Sequence, residues 1–263
     1  MKSGKPIITL LTDFGTEDGY VGAMKGVILS GVPDATIVDI SHNIEPYNVR
    51  QAAYTLLNYA HLFPGDTIHL IVVDPGVGTG RKGLVVQMGD YFFIAPDNGV
   101  FSFITREHSF RAWEIDEKLF GIKISSTFHG RDIFAPAAVR IANGENPSDF
   151  GKKVSEIVSF YEPFQLLSPG ECLLKILHVD HFGNLILNFS KGDLQKLGDP
   201  QNIKIRLKQG FLYGIKNTFG EAGKGQLLAL WDSIGFLQIS QNQGNAAAAL
   251  NLGVGDQVIL KYS

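Results

Sequence analysis

The chain has 263 residues, 44% of them hydrophobic and 19% charged, and these proportions exclude disorder for most of its length. The net charge of −3 argues against a dedicated nucleic-acid-binding protein, because such proteins carry Lys- and Arg-rich faces that neutralise phosphates. The length allows one large domain or two unequal ones.

Strand and helix patterns alternate along the first half of the chain. Uninterrupted apolar runs predict strands, and 3.6-residue periodicity predicts helices between them. In chain order these are strand 7–11, helix 20–30, strand 37–40, helix 48–61, strands 68–73, 83–86 and 91–95, and helix 133–143. Strands without polar alternation that are separated by helices indicate a buried, mainly parallel sheet covered on both faces.

The pattern changes after about residue 147. Residues 155–171 contain two prolines and predict a connecting segment or linker. Beyond it, short β-rich stretches with glycine turns predict a small antiparallel β-barrel, with strands at 173–179, 185–189, 203–207, 226–231, 236–240 and 257–262. We therefore expect an α/β domain over residues 1–160 and a smaller β-barrel domain over residues 161–263.

Cysteine content and hydropathy bear on the cellular compartment. The single cysteine, Cys172, cannot form an internal disulfide. The apolar run at 7–11 is too short for a signal peptide, and no stretch approaches the roughly 18 apolar residues of a membrane helix. We expect a cytoplasmic protein without membrane contact.

Three kinds of functional motif are disfavoured. Residues 78–83 match G-x-G-x-x-G but precede a predicted strand, whereas a dinucleotide site needs a helix there. His178 and Asp180 share one face of a predicted strand while His181 points the other way, so we expect no metal site. The sequence has no G-x-S-x-G motif for a nucleophilic serine.

Polar residues follow three of the predicted strands directly. Asp13, Asp74 and Asp97 each end a strand, and each alone is more often an ordinary turn or cap. The carboxyl ends of parallel strands open onto the ligand crevice of a sheet. Together, these acids predict a polar crevice supported by loop residues Arg81, His129 and Arg131.

Eight short blocks, most of them rich in glycine and polar residues, carry a resemblance to a known family. They lie at 11–15 (LTDFG), 18–22, 39–46 (beginning DISHNI), 73–81 (beginning VDPGVG), 95–99 (APDNG), 127–132 (TFHGRD), 180–184 (DHFGN), and 233–235 with 244–246. In this order they resemble the S-adenosyl-L-methionine hydroxide adenosyltransferase family, which is related to fluorinating and chlorinating enzymes that use the same substrate.

The resemblance implies a fold, an assembly and a reaction. It implies an N-terminal α/β domain and a C-terminal β-barrel, assembled as a homotrimer with active sites between the N-terminal domain of one subunit and the C-terminal domain of its neighbour. It implies hydrolysis of S-adenosylmethionine (SAM) to adenosine and L-methionine by attack of water at the ribose C5′. SAM is then the substrate, and no cofactor is expected.

The resemblance also implies roles for individual residues. Asp74, Arg81 and His129 would orient and deprotonate the attacking water, and which of them takes the proton stays open. Asp13 would bind the ribose hydroxyls. The remaining contacts implied for the substrate are Asp18 and Asp180 with the methionine ammonium, Ser233 with its carboxylate, Phe182 and Asn184 with adenine, and Tyr47 with the nucleoside.

Two of these assignments have alternatives in the sequence. Phe182 and Tyr47 could instead be ordinary core residues. Ile234 stands where the halogenating relatives have an arginine for the methionine carboxylate, so Ser233 and backbone groups would hold that carboxylate without a cation.

Two other functions compete with hydrolysis. One is a SAM-dependent halogenase, although Asp74 would repel a halide and Gly130 stands where the halide pocket offers a serine. The other is a nucleoside- or SAM-binding protein without catalysis, which the Asp74, Arg81 and His129 set argues against.

Overall fold

The computed structural model describes residues 4–106, 108–121, 123–198, 202–208 and 210–263. The chain divides into two compact units, unit 1 over Met1–Tyr161 and unit 2 over Glu162–Ser263. Each unit has its own hydrophobic core and is described by itself.

Unit 1 is built on a seven-stranded sheet. Its strands are β1 (Ile7–Thr12), β2 (Thr36–Ser41), β3 (Ile68–Val72), β4 (Gly83–Met88), β5 (Tyr91–Pro96), β6 (Arg111–Glu114) and β7 (Lys153–Val154), in the order β2-β1-β3-β5-β4-β6-β7. The half formed by β2, β1, β3 and β5 is parallel. In the other half, β5 pairs antiparallel with β4, β4 with β6, and β6 with β7.

The prediction of a mainly parallel sheet is therefore confirmed only in part, since the sheet is mixed. The cause is the connection between β4 and β5, which consists of Gly89 and Asp90 alone. Two residues can join antiparallel strands, whereas a parallel pair needs a crossover of a dozen residues or more. Gly89 takes φ 55°, the left-handed conformation that such a tight turn requires.

Helices cover both faces of this sheet, as predicted. They are α1 (Tyr20–Gly31), α2 (Val49–Tyr59) and α3 (Ala135–Ala142), and a π-helical turn (Gly130–Phe134) leads into α3. Strand residues alternate between the two faces: Ile8 and Leu10 pack in the core that contains residues of α1 and α3, whereas Leu11 packs in the core that contains residues of α2. This alternation follows from the two-residue period of a strand.

Unit 2 is an eight-stranded, nearly closed, barrel-like sheet. Its strands are β8 (Gln165–Ser168), β9 (Glu171–Val179), β10 (Leu185–Ser190), β11 (Lys204–Leu207), β12 (Gly210–Tyr213), β13 (Leu227–Trp231), β14 (Phe236–Gln241) and β15 (Gln257–Lys261), in the order β12-β11-β15-β9-β10-β14-β13 with β8 beside β9. The pairings are antiparallel, as predicted.

Two strands and two α-helices of unit 2 have no counterpart in the predicted elements. They are β8 and β12, whose residues are mostly exposed, and the short helices α4 (Lys191–Lys196) and α5 (Ala246–Leu250). An exposed strand lacks the apolar alternation that reveals a strand in sequence, and a helix of five or six residues is too short for helical periodicity. Within the described residues, no helix has both the length and the apolar character needed to span a membrane.

The close approach of α1 to α3 gives a stability test. A Cβ at Gly31 would lie 2.3 Å from Cγ1 of Val139, so Gly31→Ala forces the two helices or the stiff Val139 side chain to move. We expect a loss of about 1 to 3 kcal/mol in the free energy of unfolding, measured by urea denaturation.

Gly26→Ala is the matched control, because Gly26 lies in the same helix and has open space around its Cβ position. It should be neutral or stabilising, since alanine favours a helix over glycine by about 1 kcal/mol. The double variant G31A/V139A should recover part of the loss. Equal stability of the two single alanine variants would show that the helix contact is not close.

Candidate active site

A cavity of about 330 Å³ lies at the carboxyl ends of β1 and β3 in unit 1. Four of the predicted site residues line it: Asp13, Tyr47, Asp74 and His129. Asp13 follows β1 directly, Asp74 lies two residues beyond β3, and His129 precedes the π-helical turn. The parallel half of the sheet thus gathers polar side chains at one edge, as the sequence predicted.

Arg81 joins two of these residues. Its Nε lies 3.0 Å from both carboxylate oxygens of Asp74, and its Nη2 also donates to Oδ2 of that carboxylate. The same Nη2 lies 2.8 Å from Nδ1 of His129. The side chains of Asp74 and Arg81 are only 5% and 10% exposed, so the ion pair is shielded from water.

The contact with Arg81 determines the protonation state of His129. A guanidinium can only donate hydrogen bonds, so Nδ1 of His129 must accept one, and the imidazole is neutral with its hydrogen on Nε2. Burial and the positive charge of Arg81 both lower the pKa of His129 below its ordinary value. In this arrangement the imidazole is a hydrogen-bond donor through Nε2.

The ring of Phe134 supports the guanidinium from one side. The Cζ atom of Arg81 lies 5.1 Å from the ring centroid of Phe134, which is fully buried in the π-helical turn. A cation over an aromatic face is attracted by the ring quadrupole. The Arg81 side chain therefore has contacts on three sides.

Asp13 is held by the backbone of Tyr47. Its Oδ2 accepts a hydrogen bond of 2.8 Å from the Tyr47 amide, and burial raises the pKa of the Asp13 carboxyl. Tyr47 has φ 68°, which is unusual for a residue with a bulky side chain, and its side chain is 72% exposed. Tyr47 is therefore not a core residue of this chain.

Several polar residues near the cavity have structural partners. The Asp97 carboxylate accepts a hydrogen bond from the Val158 amide, and the Asn98 side chain donates to the Val73 carbonyl, each at 2.8 Å. Arg131 is paired with Asp132, its neighbour in sequence. Asp18 is exposed in a bend before α1 and does not line the cavity.

A second pocket, of about 520 Å³, lies in unit 2 and is lined by Phe182 and Asn184. Phe182 is 72% exposed, so it too is not a core residue of this chain. Asn184 donates through Nδ2 to Oδ2 of Asp180 at 2.7 Å, and its amide oxygen is not used in that bond.

Asp180 and Ser233 lie in turns of unit 2. The Asp180 carboxylate already accepts three hydrogen bonds within its own turn, from the Phe182 amide and from the backbone and side chain of Asn184. Ser233 is exposed in the turn between β13 and β14. Neither lines the pocket that contains Phe182.

Aromatic residues of the unit 1 cavity were missed as site residues. Phe14, Tyr20 and Phe128 line it and contact one another, with ring centroids 5.2 to 5.9 Å apart. A signal was available, because Phe14 follows Asp13 and Phe128 precedes His129. These rings give the cavity an apolar part beside its polar groups.

The electrostatic influence of Arg81 on His129 can be measured without any substrate. Arg81→Gln removes the positive charge beside the imidazole, so the pKa of His129 should rise, because burial is then opposed by the carboxylates of Glu117, Asp74 and Asp132. The measurement is an NMR titration of the His129 ring, and Arg111→Gln, on the distant strand β6, should leave that pKa unchanged. An unaltered pKa in Arg81→Gln would contradict the observed contact.

Comparison with known proteins agrees with the resemblance found in the sequence. Residues 8–151 match the SAM hydroxide adenosyltransferase N-terminal domain, and residues 174–259 match the C-terminal domain of the same family. A protein of Methanocaldococcus jannaschii named (R)-S-adenosyl-L-methionine hydrolase is 39% identical, with 97% of this chain and 96% of that protein covered. A fluorinase of Nocardia brasiliensis is 28% identical, with 98% and 97% covered.

A solved structure supports the same conclusion. A protein of Thermotoga maritima, described as an uncharacterised conserved protein, superposes with a TM-score of 0.86 at 35% identity, covering 97% of this chain and 99% of that one. The two domain models together span most of the sequence. This chain belongs to the SAM hydroxide adenosyltransferase family.

Proposed function

We propose that the chain is an enzyme that hydrolyses SAM to adenosine and L-methionine. The observation that carries the proposal is the buried cluster of Asp74, Arg81 and His129 beside a nucleoside-sized cavity. The names of the curated relatives that are 32 to 39% identical over nearly their whole length support it.

The leaving group of this reaction needs no acid catalysis. The water oxygen forms a bond to C5′, and the C5′–S bond breaks with its electron pair passing to sulfur. Methionine leaves as a neutral thioether from a sulfonium, so it needs no proton. Only the water must lose one, and neutral water becomes acidic only as it bonds to carbon.

Each residue of the Asp74, Arg81 and His129 cluster has a different role in activating this water. His129 carries its hydrogen on Nε2 and can donate to the water oxygen, which orients the nucleophile. Asp74 is the member that can accept, so the proton passes to its carboxylate. Arg81 holds both residues in place and stabilises the negative charge that develops on oxygen.

The remaining predicted residues fit substrate binding unequally. A carboxylate such as Asp13 can accept hydrogen bonds from both ribose hydroxyls. Phe182 offers an exposed ring for stacking, and Asn184 offers the adenine edge the amide oxygen that its bond to Asp180 does not use. Asp180 accepts three hydrogen bonds that shape the turn presenting Phe182 and Asn184, and its contact with the methionine ammonium stays a prediction.

The methionine end and the assembly rest on the family resemblance. Asp18 for the ammonium and Ser233 for the carboxylate stay predictions, as does the cytoplasmic location. We propose a homotrimer in which unit 1 of one subunit and unit 2 of its neighbour share each substrate. The exposed aromatic side chains of Tyr47 and Phe182, one in each unit, support this assembly, since an exposed apolar ring gains by being covered.

A labelled-water experiment tests the reaction. Purified protein incubated with SAM in water enriched in ¹⁸O should release adenosine that carries ¹⁸O at its 5′ hydroxyl, detected by mass spectrometry. The same incubation with added fluoride or chloride should give adenosine again, because Asp74 repels an anion at the cavity. A 5′-halogenated nucleoside would establish a halogenase, and no nucleoside at all a binding protein.

A kinetic experiment tests the residues. Replacing Asp74 by Asn or His129 by Gln should lower kcat by about 10² to 10⁴, the usual value of general-base assistance, while the Kd of SAM changes little. The double variant should lose less than the product of the two effects, because the residues share one task. Asp13→Ala should instead mainly raise KM.

The pattern of losses decides the assignment. If Asp74→Asn and His129→Gln keep near-normal single-turnover rates while Asp13→Ala fails, the water is activated by other groups. Calorimetric binding of SAM to each variant separates a lost catalytic contact from a lost binding site.

A further inference from the structure

Two buried polar residues, Thr12 and His42, and the exposed Asp39 form a series of contacts next to Asp13 and take no part in the reaction proposed above. Oγ1 of Thr12 lies 2.9 Å from Nδ1 of His42, and Nε2 of His42 lies 3.1 Å from Oδ1 of Asp39. Thr12 is fully buried and His42 is 6% exposed. Such groups lose their contact with water on folding, so each needs a partner in the protein.

The second imidazole nitrogen of His42 faces an acidic side chain. Burial raises the pKa of Asp39, but the nearby Lys25 and His42 outweigh it, so the pKa lies below its ordinary value and the group is a carboxylate. Nε2 of His42 faces this carboxylate at 3.1 Å without an aligned hydrogen bond. Nδ1 of His42 is joined to the Thr12 hydroxyl by a hydrogen bond whose donor depends on the tautomer of the imidazole.

Thr12 and His42 also hold the backbone of the turn that follows Asp13. Oγ1 of Thr12 accepts a hydrogen bond of 3.3 Å from the Phe14 amide, and the carbonyl of His42 accepts one of 2.8 Å from the Gly15 amide. His42 also begins the loop that leads to Tyr47, whose amide binds the Asp13 carboxylate. One imidazole thus braces the Asp13 turn and the loop that holds the Asp13 carboxylate.

We propose that Asp39, His42 and Thr12 are positioning residues that hold the Asp13 carboxylate in the orientation needed to accept hydrogen bonds from the hydroxyls of a nucleoside. The inference rests on the proposed role of Asp13 in substrate binding. None of the three touches the substrate. They act by ordering the acceptor before the ligand arrives, which removes an entropic cost of binding.

Two buried threonines of β1, Thr12 and Thr9, provide a matched pair of variants for the test. Thr12→Val removes the hydroxyl at nearly constant shape. Thr9→Val is the control, because Thr9 is also fully buried on β1 and its Oγ1 lies 2.9 Å from Nδ1 of another buried histidine, His69. Both variants break a buried Thr–His contact of equal length, but only Thr12 adjoins Asp13. Thr12→Ser keeps the hydroxyl and is the conservative variant.

Three measurements separate positioning from stability. Both valine variants should lower Tm, since each leaves a buried imidazole nitrogen without a partner. Only Thr12→Val should weaken calorimetric binding of adenosine, by about tenfold, and raise KM for SAM more than it lowers kcat. Only Thr12→Val should speed hydrogen exchange of the Phe14 and Gly15 amides, and Thr12→Ser should restore binding and amide protection.

The outcomes are separable from those of the proposed function. If wild-type protein releases no adenosine from SAM, the hydrolase proposal is wrong, while adenosine binding and amide exchange still decide the positioning role. That role is overturned if Thr9→Val weakens adenosine binding as much as Thr12→Val does. It is also overturned if Thr12→Val binds adenosine as tightly as the wild type.

Discussion

Arg81 makes the contact on which the candidate site depends, because its guanidinium bonds Asp74 on one side and His129 on the other. Asp74 and Arg81 come from the loop between β3 and β4, and His129 comes from the residue before the π-helical turn. Because a guanidinium can only donate hydrogen bonds, both Asp74 and Nδ1 of His129 accept from Arg81, and this fixes the tautomer of His129. Burial of the pair strengthens this arrangement, because little water competes for the charges. Breaking the pair would leave an uncompensated charge in the protein interior.

The mixed sheet explains how Arg81 reaches Asp74. The antiparallel pairing of β4 with β5 sets Gly83 opposite Pro96, so the beginning of β4 lies at the edge where β5 ends. Strands β1 and β3 end at the same edge, because they run parallel to β5. Arg81, two residues before β4, is thereby delivered to the polar crevice. In an all-parallel sheet the beginning of β4 would lie at the opposite edge. The antiparallel hairpin of β4 and β5 therefore brings Arg81 to the candidate site.

The polar turns at both pockets are ordered by the protein itself. Asp13 accepts from the Tyr47 amide, and its neighbours are tied to Thr12 and His42. Asp180 in unit 2 accepts three hydrogen bonds from its own turn and so presents Phe182 and Asn184. Ordered acceptors bind a ligand without a further loss of conformational freedom.

The sequence by itself determined the alternation of strands and helices in unit 1, the antiparallel strands of unit 2 and the polar residues at strand ends. It could do so because the buried face of a strand or helix appears in the sequence as a regular spacing of apolar residues. The family motifs are also runs of adjacent residues, so they can be recognised without a structure. Only the tertiary structure decided the direction of β4, the tautomer of His129, the self-bonded state of Asp180 and the contact of Thr12 with His42. Each of these depends on which atoms meet across segments distant in the chain, such as the 48 positions between Arg81 and His129, and no local pattern records such distances.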